Sequence, residues 1–375
     1  MRLPIPVTAL VSVSFFALSS LAFNVHAEVD VQRVADLVSG RPSVPGEEAS
    51  GLFAYYRTGH HHLGAKGQRL IRDFAAAHLT DAFQASETVY YPFGGPDVIF
   101  PTVFFPKMKT LILVAAENVG ELPNGSGGHL AAVRDDVKRV VRQVLDLTFY
   151  RTDDMRTQQA DARLATLTKI VASLAVLDAT LDSLEEITLD SSGNVVPFTR
   201  GNGKERTPGV RIRYTLPHSD EEKTVYYFQQ NLGGYAWSGL PALKNSPGFM
   251  RFIERLPSFT SYLKAASYLS HEGHFALSNE LALRADYVVQ TDTGIPYRFF
   301  KKDGWDLTLF GGFRRPIGLF RADQPDLLTA IRKGGTLEEG GIRLGPKLPF
   351  RYDYGSPDVY NIMYAVKVRK ALTNP

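Results

Sequence analysis

The chain contains no cysteine among its 375 residues. This absence excludes disulfide bonds, thiolate metal sites, a cysteine nucleophile and a lipid-modified cysteine at an N-terminal cleavage point. Hydrophobic residues make up 44% of the chain, which is enough apolar material for a sizeable core without covalent cross-links. We therefore expect one or two globular domains that are stabilised by their packing.

A strong excess of charge of either sign is also lacking. The sequence has 42 basic and 39 acidic residues, a formal net charge of +3. Proteins that bind nucleic acid concentrate positive charge in a patch or stripe, because the phosphate backbone supplies most of the binding energy. The near-balance of charge gives no support for such a partner, and none is predicted.

Long uncharged apolar runs are scarce, and the clearest one lies at the N-terminus. Arg2 precedes the apolar residues 7–23, and Val25 and Ala27 occupy the small-residue positions before a cleavage point. The pattern predicts a signal peptide over residues 1–27 and a mature globular region over residues 28–375. Such a signal is typical of a protein of the periplasm, or a secreted protein, of a Gram-negative bacterium.

The best later candidate for a membrane span is residues 164–184. It contains Lys169, Asp178 and Asp182, which are costly in the centre of a bilayer. No integral membrane segment is therefore expected after signal cleavage.

Apolar periodicity divides the mature chain into helices and strands. Alternating or continuous apolar runs predict strands, and apolar residues three or four apart predict amphipathic helices. Strands are predicted over residues 88–91, 110–116, 286–290 and 305–310, with a hairpin over 210–228; helices are predicted over 31–38, 130–147, 164–181, 249–255, 259–269, 275–284 and 325–332. The mixed order predicts an α+β fold, with a mixed central sheet, flanking amphipathic helices and a β-hairpin in the C-terminal half.

One domain is the simplest reading of this organisation. The polar, Gly-rich residues 192–209 mark a possible subdivision.

The most distinctive segment runs from Tyr90 to Asp97, with the sequence Tyr-Tyr-Pro-Phe-Gly-Gly-Pro-Asp. A Phe-Phe-Pro element, an apolar strand and Glu117-Asn118-Val119-Gly120 follow it. The set resembles a family of uncharacterised exported bacterial proteins with a Tyr-Pro-Phe-x-Gly-Pro-Asp segment, and this resemblance implies no particular activity. The turn could fix Asp97 in place, and Glu117 follows a buried strand at the end where ligand crevices of open sheets form. The alternative is that Asp97 caps a turn and Glu117 is solvated.

Three further motifs contain residue types that can carry chemistry. Asp292-Thr293-Gly294 is similar to the aspartic-protease signature, but its nearest second copy, Asp190-Ser191-Ser192-Gly193, has an extra residue. The alternative is that the segment is a turn.

His271-Glu272-Gly273-His274 lacks the zinc-protease spacing, so no metal is predicted. Ser261-Tyr262-Leu263-Lys264 has a Ser-x-x-Lys spacing without its companion motifs and is treated as a chance pattern. No cofactor motif is complete, and no cofactor is predicted.

Two hypotheses of different class follow. The first is a binding or assembly protein whose groove is lined by Tyr91, Asp97, Tyr235 and Trp237 and whose partner is a ligand or protein of the cell envelope. The alternative is a periplasmic hydrolase that uses Asp97, Glu117, His271 and Asp292 as general acid and base. Whether the protein is an enzyme stays open.

Both hypotheses carry structural expectations for these acidic residues. Glu117 and Asp292 each follow a predicted strand, so parallel strands in one sheet would place both residues on the same edge. We also expect that replacing Asp97 or Glu117 by Ala leaves folding and secretion largely intact while impairing function.

Overall fold

The structure is a computed structural model that describes residues 30–122, 127–150, 166–198, 207–217, 219–300, 304–313, 324–332, 342–354 and 360–368. Side chains are not described for residues 123–132 or for Arg332. Val31–Pro375 form one compact unit, and Met1–Asp30 form a separate unit of which only Asp30 is described. The predicted signal peptide therefore lies outside the described residues.

Strands and helices alternate irregularly along the compact unit. The strands are β1 (Thr88–Pro92), β2 (Thr110–Ala115), β3 (Thr180–Leu189), β4 (Val195–Pro197), β5 (Thr207–Thr215), β6 (Lys223–Gln229), β7 (Thr260–Leu263), β8 (Tyr287–Gln290), β9 (Trp305–Gly311), β10 (Ile342–Leu344) and β11 (Asn361–Lys367). The helices are α1 (Val31–Ser39), α2 (Gly51–Arg57), α3 (Ala65–His78), α4 (Thr80–Ala85), α5 (Ile99–Phe104), α6 (Gly127–Leu147), α7 (Thr166–Val176), α8 (Pro247–Glu254), α9 (Ala276–Ala282), α10 (Tyr297–Phe300) and α11 (Pro325–Arg332). Among the described helices, none has the length and apolar character that crossing a bilayer requires.

All of these strands belong to one sheet in the order β10-β9-β11-β8-β7-β1-β2-β6-β5-β3-β4. The five central strands, β8-β7-β1-β2-β6, are mutually parallel. On one side β11 runs antiparallel between β8 and β9, and on the other side β5 and β3 continue the sheet in antiparallel pairs. The predicted α+β fold with a mixed central sheet is confirmed, and the predicted hairpin is the β5-β6 pair.

The parallel centre has the order of a doubly wound fold. Chain order runs outward from β1 through β2 to β6, then returns to place β7 on the other side of β1, with β8 beyond it. The direction of winding therefore reverses between β1 and β7, and in open sheets the crevice outside the strand ends at such a reversal is the usual place for a ligand.

Each central strand contributes to two separate hydrophobic cores. Leu111 and Leu113 of β2 join the core formed with helices α1, α6 and α7, while Ile112 and Val114 of the same strand join the core formed with α8 and α9. Successive side chains of a strand point to opposite faces, so a strand covered by helices on both faces needs an unbroken apolar run. This requirement explains why the sequence Leu-Ile-Leu-Val of β2 does not alternate.

The predicted helix over residues 259–269 is wrong. Thr260–Leu263 forms β7, which pairs with both β1 and β8. The chain then passes through Ala265, Ser267 and Tyr268, whose φ angles of 54°, 50° and 57° lie in the left-handed region and end any regular element. Pairing in the middle of the sheet and this irregular turn override the apolar spacing that indicated a helix.

The predicted helix over residues 164–181 is shorter than expected. It is α7, which ends at Val176; the chain turns at Asp178, with φ 59°, and Leu181 already lies in β3. Leu164 lies outside the described residues.

Candidate functional site

Polar residues follow all five parallel strands at the edge where their carboxyl ends meet, and Gln230 is the one after β6. Asp97 lies in the loop after β1, Glu117 follows β2, Lys264 follows β7 and Asp292 follows β8. Because β2, β1, β7 and β8 are parallel neighbours, Glu117 and Asp292 lie on the same edge of the sheet, as predicted.

A cavity of about 410 Å³ opens at this edge, at the reversal between β1 and β7. We call it the switch-point cavity. Its described lining consists of some of the residues in five segments: 91–97 at the end of β1 and beyond it, 115–117 at the end of β2 and beyond it, 149–150 after α6, 230–237 after β6 and 264–275 after β7. The loops of four parallel strands therefore surround one concave space.

The loop after β1 is shaped by two residues in the left-handed region, Phe93 with φ 62° and Gly95 with φ 53°. Gly94 lies over the ring of Tyr91, where an added Cβ would come within 2.6 Å of the ring. The amide of Asp97 donates to the carbonyl of Gly94 and closes the turn. The Gly-Gly-Pro sequence is therefore needed for a tight path over a buried tyrosine, and this path directs Asp97 inward.

Asp97 and Lys264 form a buried ion pair beneath the cavity, with 2.7 Å between Lys264 Nζ and Asp97 Oδ2. The carboxylate also accepts a hydrogen bond of 3.2 Å from the Tyr91 hydroxyl and one of 3.3 Å from the amide of Phe100. Lys264 Nζ donates to the carbonyl of Thr148 and lies 3.4 Å from the centroid of the Phe100 ring. Burial lowers the pKa of Lys264, and the adjacent Asp97 opposes this shift. Both charges are thus committed to partners within the fold.

Sequence reasoning missed the importance of Lys264, which it treated as part of a chance Ser-x-x-Lys pattern. Ser261 lies on β7 and donates to the carbonyl of Ala282, so it does not form a nucleophile–amine pair with Lys264. The signal that could have identified Lys264 is its position directly after a central strand, where a buried cation requires an acidic partner.

Glu117 also lines the cavity, but it is less buried than Asp97. Its backbone carbonyl accepts a hydrogen bond of 2.6 Å from the Tyr227 hydroxyl, which fixes the chain, while its side chain is only partly buried. Burial raises the pKa of Glu117, and the charge of Lys169 opposes this shift. Lys169 is itself buried on α7, with its pKa lowered by burial to about 8, and it does not line the cavity. No basic side chain of the described ranges lies within ion-pair distance of Glu117.

The three aromatic residues predicted for binding, Tyr91, Tyr235 and Trp237, all line the switch-point cavity. Tyr91 is buried in its floor, whereas Tyr235 and Trp237 are 57% and 49% exposed at its rim. Together with Asp97, these three residues make up the predicted groove, so all four of its residues line one cavity.

His271 and Asp292 are not among the residues that line the cavity. Asp292 is buried behind it, where its carboxylate accepts a hydrogen bond of 3.0 Å from Tyr268. Burial, and to a lesser extent the charge of Asp353, raises the pKa of Asp292 to about 7. Burial together with the nearby Arg298 lowers the pKa of His271 to about 4. The sequence-predicted acid and base groups thus form two separate sets, one in the cavity and one behind it.

Potential metal ligands do not gather among the described residues: no group of three or more His, Asp or Glu side chains there is placed to hold a metal ion. The ring of His274 instead lies between those of Tyr235 and Phe275, tilted by 38° and 41° from their planes.

Comparison of the chain with known protein families, with curated protein sequences and with solved structures finds no match.

The buried ion pair changes the expectation for Asp97. Lys264→Met would leave the Asp97 carboxylate buried without a counter-charge, so we expect a loss of about 3–5 kcal/mol in the free energy of unfolding. The double variant Asp97→Asn/Lys264→Met removes both charges and should recover much of this loss. Asp97→Ala alone is now expected to destabilise the protein. Urea denaturation measures all three variants.

A matched control is available on the surface. Lys109 forms an exposed ion pair with Glu87, with 3.0 Å between Nζ and Oε1, and Lys109→Met should change stability little because solvent screens such pairs. If Lys264→Met were as stable as Lys109→Met, the structural role of the buried pair would be refuted.

A second prediction concerns the dependence of stability on pH. The folded protein retains the Asp292 proton up to a pH of about 7, whereas an unfolded aspartate releases it near its ordinary pKa of 3.8. The folded state therefore binds more protons between these values, and this group makes stability fall as pH rises through the window. His271, with its pKa lowered from 6.5 to about 4, contributes the opposite slope between those two values.

We expect Asp292→Asn to remove the falling contribution. Relative to the parent protein, its free energy of unfolding should rise between pH 4 and pH 7 by up to about 1.4 kcal/mol per pH unit. Urea titrations across this range provide the measurement, and Asp182→Asn, which removes an exposed carboxyl on β3, is the control. A difference that stays constant with pH would contradict the buried, proton-retaining Asp292.

Proposed function

We propose that this protein is an exported binding protein that holds a small organic molecule in the switch-point cavity. The observation that carries the proposal is the coincidence of one concave space of about 410 Å³ with the winding reversal of a parallel sheet. Cavities of some 300–1,000 Å³ accommodate ligands of the size of metabolites and drugs, and the crevice at such a reversal is where open sheets bind them.

The lining supports a ligand with a largely apolar body. Aromatic and aliphatic side chains form most of the wall, and several of its polar side chains are already satisfied within the protein. Asn231 donates to the carbonyl of Tyr235, Gln230 donates to the carbonyl of Asn231, and the Ser267 hydroxyl bonds to that of Tyr354. A cavity with few available polar groups selects ligands chiefly by shape and apolar contact.

The hydrolase hypothesis receives less support. General acid–base catalysis needs two groups within reach of one substrate, and the cavity contains Asp97 and Glu117 without His271 or Asp292. Since Asp97 is neutralised by Lys264, Glu117 would be left as the single available carboxylate of the four candidates.

The cellular part of the proposal comes from the N-terminal sequence. If residues 1–27 are a signal peptide, expression in a Gram-negative host should give a protein in the periplasmic fraction whose mass corresponds to a chain beginning at Glu28. Fractionation followed by intact-mass measurement tests this. A full-length chain in the membrane fraction or the cytoplasm would contradict export.

Filling the cavity tests binding directly. Ala116 lines the cavity at the end of β2, so Ala116→Trp should occupy part of its volume and weaken binding of the neutral fluorescent dye phenylnaphthylamine by about tenfold or more, a loss of about 1.4 kcal/mol. Dye titration monitored by fluorescence gives the affinities. The control is Ala77→Trp on the exposed face of α3, which adds the same side chain at a position that does not line the cavity.

Thermal melting of both variants establishes that they are folded. Equal dye affinity in the two tryptophan variants would contradict binding in the switch-point cavity.

A further inference from the structure

Negatively charged side chains outnumber positively charged ones around the switch-point cavity. Its described lining contains three carboxylates, Asp97, Glu117 and Glu272, and, besides the imidazole of His274, one basic side chain, Lys264. Asp97 and Lys264 neutralise each other in the buried ion pair. Glu117 and the exposed Glu272 remain, and no described cation lies within ion-pair distance of either carboxylate. Even with the partial influence of buried Lys169 on Glu117, the space available to a ligand is negative.

One wall of the cavity is a continuous row of rings. The Tyr235 and His274 ring centroids are 4.5 Å apart, those of His274 and Phe275 are 4.3 Å apart, and those of Phe275 and Phe93 are 5.4 Å apart. Trp237 extends the aromatic surface at the rim. Aromatic faces carry negative partial charge and attract cations, most strongly where water is partly excluded.

From these two features we infer that the ligand is an organic cation, an ammonium group carried by a flat apolar body, with Glu117 as its counter-ion and the row of rings as its contact surface. This inference rests on the proposed binding function and specifies the class of ligand. An anion would meet two unpaired carboxylates and no available cation among the described lining. A neutral ligand would leave Glu117 desolvated without a partner, which costs free energy that a bound cation recovers.

The energetics favour recognition through Glu117 rather than Glu272. Charge–charge attraction weakens with the effective dielectric constant, so a partly buried carboxylate attracts a cation more strongly than an exposed one. The hydrogen bond from Tyr227 to its carbonyl fixes the backbone of Glu117, so only the side chain has to be ordered when a ligand binds.

The test uses three probes with one shape and different charge. Tryptamine, tryptophol and indolepropionate each carry an indole ring on a two-carbon chain that ends in an ammonium, a hydroxyl or a carboxylate group. Competition against phenylnaphthylamine bound to the full mature chain ranks them. We expect tryptamine to displace the dye at a concentration about tenfold or more below that of tryptophol, and indolepropionate to be the weakest.

Glu117→Gln keeps the shape of the side chain and removes its charge. We expect this variant to bind the dye and tryptophol at least as tightly as the parent protein, because an uncharged side chain costs less to desolvate, while the advantage of tryptamine over tryptophol falls to about threefold or less. Glu280→Gln, which removes an exposed carboxylate on α9 outside the cavity lining, is the matched control and should retain the full advantage. Melting curves confirm that both variants are folded.

The outcomes separate the two proposals. Dye binding that is weakened by Ala116→Trp, with equal displacement by tryptamine and tryptophol, would overturn the cation inference and leave the binding function standing. A tryptamine advantage that persists in Glu117→Gln would overturn the role of Glu117 as counter-ion. If neither the dye nor any probe binds to the parent protein, the binding function is contradicted and the cation inference fails with it.

Discussion

The buried ion pair between Asp97 and Lys264 is the interaction on which the site depends. It joins the loop after β1 to the residue after β7, the two strands between which the winding of the sheet reverses. Taking two charges out of water is costly, and the pair persists because Tyr91, the Phe100 amide and the Thr148 carbonyl complete its hydrogen bonds. A hydrogen bond of 3.4 Å from the Tyr91 hydroxyl to the Lys264 carbonyl supports the same junction.

A second buried carboxylate, Asp353, extends these polar contacts to the loop after β8. Its carboxylate accepts hydrogen bonds from the amide of Ala265 and the hydroxyl of Thr293, so it joins the loops after β7 and β8. Ala265 adopts a left-handed conformation that an alanine rarely takes up, and this bond helps to hold it there. Polar contacts thus run from β1 across to β8 behind the cavity, while the ligand-facing side keeps few free groups. The residues that hold the loops together are therefore largely distinct from those that would contact a ligand.

The sequence predicted the structure correctly where one helix or strand has an unambiguous apolar pattern. The unbroken apolar run of β2 indicated a strand covered on both faces, and this placed Glu117 at a carboxyl end. It failed where the spacing was ambiguous: Phe259, Tyr262, Leu263 and Ala266 recur at helical intervals, yet the segment forms β7 and an irregular turn. The partnership of Asp97 with Lys264 joins residues 167 positions apart, and it follows from the strand order rather than from any local pattern. Without the order of strands, Lys264 could not be distinguished from a surface lysine.

The scarcity of free polar groups also bears on specificity. A site that recognises a ligand by several hydrogen bonds rejects analogues strongly, because each missing bond leaves a buried group unpaired; an apolar site distinguishes related shapes only weakly. Here Gln230, Asn231 and Ser267 are already bonded within the fold, which leaves Glu117 and the Tyr150 hydroxyl as polar contacts available deep in the cavity. Selection would then rest on charge and on fit against the rings, two criteria that several related molecules satisfy. A protein built in this way is suited to a class of ligands rather than to one compound.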